Sequence, residues 1–95
     1  MAQRSVTVGS PSGLHARPAK LLVEAAARQP VRVRISVSGR PPVPADSMLS
    51  VLSLGAGYGA EVTLHADDGA EGDQALRTLA DLIARDLDAS ETAGA

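Results

Sequence analysis

The sequence predicts an α+β domain built as an open-faced β-sandwich, an antiparallel sheet with one face in solvent and all of its helices on the other. Three observations point there. The segments "VRVRISVS" (31–38) and "AEVTLHA" (60–66) alternate apolar and polar residues as half-buried strands do. Apolar residues recur at helical spacing after Ala16 and again after Glu71. The strands are half polar, and a tight turn at Gly39 joins two of them, which suits antiparallel pairing.

The elements follow in order. Val6 and Val8 mark a first strand over 5–8. Gly9, Pro11 and Gly13 then signal a loop, after which Ala16, Ala19, Leu22, Val23 and Ala26 form the apolar face of a helix that Pro30 ends near Gln29. Val31, Val33, Ile35 and Val37 lie on one side of the second strand, with Arg32, Arg34, Ser36 and Ser38 on the other. The stretch "RPPVPAD" can form a short edge strand at best, because each proline withholds a ladder donor. Asp46 or Ser47 can cap a short helix through "MLSVLSL", which Gly55 ends. In the last strand Val62, Leu64 and Ala66 alternate with Glu61, Thr63 and His65. Leu76, Leu79, Ala80, Ile83 and Leu87 define a final helix over 71–88, and "ASETAGA" (89–95) reads as a frayed tail. Residues 1–88 are expected to form a single domain of order βαββαβα.

Composition limits the function classes. The chain has 95 residues, 44% of them hydrophobic but only one aromatic, so its modest core must be aliphatic. With no cysteine there is neither a disulfide nor a thiolate metal site. A net charge of −2 gives no reason to expect nucleic-acid binding. No apolar stretch reaches membrane-spanning length and the N-terminus alternates, so a cytoplasmic location without membrane insertion is expected. Positive charge is uneven: between Met1 and Val23 there are Arg4, Arg17 and Lys20 and no acidic residue. That region should favour anions.

Candidate chemistry concentrates in "GLHARPA" (13–19), where a loop becomes a helix. Pro18 fits a first helical turn, where backbone donors lack intrahelical partners. His15 therefore stands at the positive end of a helix, a natural anion site. If its ring captured a phosphoryl group, the N–H groups of Ala16 and the residues after it could receive the new negative charge. Arg17 suits the same task, since its planar donors match phosphate oxygens and it never loses its charge. A His beside an Arg is by itself commonly a capping or surface histidine; a flexible turn, a nucleophile, a phosphate-matching cation and a first-turn proline within seven residues is more specific.

"GLHARPA" resembles the active-site signature of the HPr family, the histidine phosphocarriers of the phosphoenolpyruvate-dependent sugar phosphotransferase system. "DSMLSVLSLG" (46–55) is similar to the segment around that family's regulatory serine and short second helix. The likeness runs through nearly the whole chain and implies four strands beneath three helices. It further implies that His15 is phosphorylated on its delta nitrogen by enzyme I, ultimately from phosphoenolpyruvate, and passes the group to the enzyme IIA unit of a sugar permease, with Ala16, Arg17 and Pro18 around the phosphate. The protein would then be a carrier with a transient phosphohistidine, working as a monomer without cofactor or metal. Ser47 matches the regulatory serine, a target of an HPr kinase, although as a helix cap it is already explained by backbone chemistry. Leu14, Lys20, Met48, Leu49 and Leu52 would face the partner proteins, whereas Val51 and Leu54 fit a buried side. Glu24 departs from the basic residue that many members carry near that position, which weakens the expected charge contact.

Other readings have less support. An enzyme acting on a small phosphate ester needs a general acid and an enclosing pocket, and no carboxylate lies near His15 in the sequence. A regulatory paralogue, of nitrogen type or a protein-binding regulator, would use the same surface, and loss of His15 would have favoured it. His65 lacks neighbours at metal-ligand spacing and reads as a solvated strand histidine. Asp67, Asp68, Glu71 and Asp73 suit the start of a helix and lack a calcium-loop pattern.

Overall fold

The computed structural model describes residues 2–85. Its elements are β1 (Ala2–Thr7), α1 (Ala16–Ala27), β2 (Arg34–Val37), β3 (Val43–Pro44), α2 (Met48–Ser53), β4 (Glu61–Ala66) and α3 (Ala70–Ala84). The four strands form one antiparallel sheet in the order β1-β4-β2-β3. The open-faced α+β arrangement is therefore present. The expected tail, residues 89–95, lies outside the described residues.

Strand alternation sets the two faces of the sheet. Val62, Leu64 and Ala66 of β4 are buried, as is Ile35 of β2, which pairs with Leu64. They meet Ala19 and Leu22 of α1, Val51 of α2 and Ala75, Leu79 and Ile83 of α3 in one aliphatic core. The opposite face carries Gln3, Ser5 and Thr7 against His65, Thr63 and Glu61. Here burial exceeds expectation: Ser36 is only 8% exposed and its Oγ lies 2.8 Å from His65 Nε2. His65 is thus half-buried and bonded, not simply solvated.

Four boundaries differ from the sequence reading, each for an identifiable reason. β1 starts at Ala2, because it pairs along the whole of β4 from Ala2↔Ala66 to Thr7↔Glu61, so its polar N-terminal residues join the ladder. β2 is confined to 34–37, while Val33 still accepts a bond from Ala45 N–H and Arg40 N–H turns back to Val37 O. α1 stops at Ala27 as Arg28 and Gln29 donate to carbonyls three residues back, a tightened last turn before Pro30. α3 ends at Ala84, since Arg85 takes an extended backbone (ψ 155°) and its N–H reaches back to Leu82 O.

Candidate functional site

The loop that leads to His15 is fastened at three places. Gly9 N–H donates to Ile83 O at 3.0 Å and the Ser10 hydroxyl donates to Arg85 O at 3.2 Å, so the loop takes up carbonyls at the end of α3. Gly13 N–H closes a turn onto Ser10 O, and Leu14 N–H donates to Ala56 O, both at 2.8 Å. Gly13 is at φ +75°, and a Cβ there would fall 2.6 Å from Ala56 O, so both the backbone angle and the close approach require glycine. Leu14 is only 1% exposed and roots the loop in the core.

Against this fixed backbone His15 is exposed. It is the N-cap residue of α1 (φ −133°, ψ 163°), and its ring makes no capping hydrogen bond, which sets aside the capping-histidine reading. Ala16, the first helical residue, is at φ +50°, a strained left-handed conformation unusual for a side chain other than glycine. Strain of this type costs on the order of 1–3 kcal/mol and persists only where its surroundings hold it, here the pinned loop before it and the helix after it.

The first turn of α1 carries no acidic residue, so the dipole at this end is uncompensated from within the helix. Arg17 is exposed at the second helical position, and Lys20, Glu24 and Arg28 continue the same outward stripe. Two expectations need correcting. Pro18 is buried and has no N–H to give a phosphate, so it shapes the first turn and does not contact the ligand through a donor. Leu14 is a core anchor, so it has no surface to offer a partner.

α2 packs against α1, and just beyond its end Ala56 bonds to Leu14, the residue before His15. Val51 is fully buried and Leu54 nearly so, Met48 and Leu52 are partly buried, and Leu49 is 82% exposed. The Ser47 hydroxyl accepts Ser50 N–H at 3.4 Å and caps this helix. Arg40, from the β2–β3 connection, donates to Ser53 O at the other end of α2. Sequence reasoning missed the fastening by Ser10 and Ala56, because a hydroxyl and a carbonyl in loops carry no mark of distant partners. It also passed over Tyr58, which is 70% exposed on the loop after Ala56. Among the described residues no group of three His, Asp or Glu could hold a metal ion, and no helix is long and apolar enough to cross a membrane.

With the exposed histidine at the N-terminus of α1 and its neighbouring arginine on the page, the chain can be compared with known proteins. The sequence model of the family described as "PTS HPr component phosphorylation site" matches residues 2–85, from the first strand to the end of α3. The chain belongs to the HPr phosphocarrier family. The phosphocarrier protein HPr of Streptomyces coelicolor is 49% identical over 89 residues, which span 93% of this chain and 94% of that protein. The crystal structure of HPr from Bacillus anthracis superimposes with a TM-score of 0.79 at 34% identity, covering 86% of this chain and 95% of the other. Crh, the catabolite repression protein of Bacillus subtilis, gives a TM-score of 0.65 at 38% identity, covering 87% of this chain and 93% of its own, and is described as a swapped dimer. Membership in the HPr family carries a phosphoryl-transfer role, that of a carrier more than of a catalyst.

Proposed function

We propose that His15 accepts a phosphoryl group from enzyme I, which draws it from phosphoenolpyruvate, and delivers it to enzyme IIA of a sugar permease. The observation that carries this reading is an exposed imidazole with no capping duty, at the N-terminus of α1 and next to Arg17. In the accepting step the ring Nδ1 attacks phosphorus, the new N–P bond forms, and the bond from phosphorus to its donor atom on enzyme I breaks. Charge on the equatorial oxygens during transfer would meet the Arg17 guanidinium and the amides at the helix tip. When enzyme IIA attacks, a new bond forms from its nucleophile to phosphorus and the His15 Nδ1–P bond breaks, which returns the free imidazole.

A carrier must hold the group without trapping it. One arginine and a helix terminus stabilise an anion modestly, and exposure lets two partners reach the same ring in turn. The docking surface of this reading takes exposed Leu49 with its part-buried neighbours Met48 and Leu52 as the apolar contact, and exposed Lys20 of α1 as a cationic contact for acidic partners. Phosphorylation of Ser47 by an HPr kinase would put about two negative charges beside that spot and repel such partners. The protein acts in this scheme as a cytoplasmic monomer. Incubation with enzyme I and labelled phosphoenolpyruvate should yield an acid-labile, base-stable phosphoprotein, and His15→Ala should abolish the label. Label persisting in that variant would reject the assignment.

A further inference from the structure

At the far end of the sheet from His15 lies a second group of anion-matching side chains. The His15 loop adjoins the strand ends at Thr7 and Glu61, because Val8 bonds to Ala60 and Leu14 to Ala56. The opposite strand ends, at Ala2 and Ala66, border an open recess of about 220 Å³ lined by Arg32, Arg34, His65, Ala66 and Asp67. Arg34 and His65 are direct cross-strand partners, and Arg32 stands two residues before Arg34, just ahead of β2, and lines the same recess. Among the described residues no carboxylate forms an ion pair with either guanidinium. His65 is held in place through Nε2 by Ser36 Oγ, which leaves Nδ1 as its other polar ring atom.

We propose that this recess binds a phosphate group, with the Arg32 and Arg34 guanidinium forks on its oxygens and His65 beside them. Two forks lining one recess can grip separate edges of a tetrahedral oxyanion, and arginine is the side chain suited to such bidentate contacts. The Asp67 carboxylate on the rim can only accept hydrogen bonds at neutral pH, so it disfavours a bare dianion and favours one carried by a molecule with a hydroxyl to donate. The ligand class is therefore a hydroxylated phosphomonoester, bound without covalent chemistry and independently of phosphoryl transfer at His15.

The test is amide and imidazole NMR titration of the full chain, with inorganic phosphate in one arm, glycerol 3-phosphate in a second and glycerol in a third. Saturable shifts at Arg34, His65 and Ala66 are expected with both phosphates, tighter for the ester, and none with glycerol. They should survive in His15→Ala and weaken about tenfold in the Arg32→Gln, Arg34→Gln double variant, whose exposed substitutions leave the fold intact in the same spectra. Tighter binding of inorganic phosphate than of the ester would overturn the assigned role of Asp67. Shifts confined to residues 13–19, equal affinity in the double variant, or no saturation at millimolar ligand would overturn the site itself.

Discussion

His15 combines an exposed ring with a backbone that has little room to move. Its neighbour Leu14 is sunk in the core and bonded to Ala56 O, and Gly13 fits only because it lacks a side chain. Gly13→Ala should therefore destabilise the protein by about 1–3 kcal/mol, since alanine at φ +75° is strained and its Cβ must displace the backbone of Ala56. Denaturant unfolding measures this; a change below about 0.5 kcal/mol would mean that the loop yields freely. The placement of His15 and Arg17 was legible in the residue pattern, because glycines before and a first-turn proline after them mark the loop-to-helix seam at which the structure has both exposed. Leu14 was misread because sequence shows proximity to His15 but not the inward turn of the side chain, which depends on how the loop meets Ala56.

The short helix α2 separates stability from docking along its length. Val51→Ala removes two buried methyl groups and should cost about 2 kcal/mol, whereas Leu49→Ala at 82% exposure should change stability by less than about 0.5 kcal/mol. Paired thermal melts and enzyme I binding assays of the two variants check the division: Leu49→Ala should weaken binding with its melting temperature kept, and equal melting losses would refute it. Ser47 is resolved the same way. Ser47→Ala loses a cap worth about 1 kcal/mol, while Ser47→Asp keeps an acceptor there and adds charge. The Asp variant should fold as stably as the parent yet receive phosphoryl groups more slowly; transfer at the parental rate would remove the proposed brake. Element types were readable throughout because periods of two and 3.6 residues differ plainly. Their ends were not, since β1 is extended by pairing with β4, a distant contact, and α3 is stopped at Ala84 where Arg85 turns extended and its carbonyl meets Ser10.

Across the whole molecule, the sheet and helices present one loop. Gly9 and Ser10 tie it to the end of α3, 75 residues away in sequence for the Ser10 bond, and Ala56 ties it to the segment before β4. The loop that leads to His15 is in this way coupled to global folding. Ser10→Ala should cost about 1 kcal/mol by leaving Arg85 O without this donor, and should raise amide exchange at residues 9–14 more than in β4. Uniform exchange changes across both segments would show instead that the bond contributes only to global stability. The half-polar strands and amphipathic helices foretold this architecture, whereas nothing in a linear pattern told that Ser36 and His65 would join on the open face. The central claim remains the relay through one exposed imidazole. Phosphorus and imidazole-nitrogen NMR of the protein charged by enzyme I tests it most directly: a single phosphoramidate on Nδ1 of His15 that disappears on adding enzyme IIA is the predicted result, and phosphate on another residue, or a signal unchanged by enzyme IIA, would contradict it.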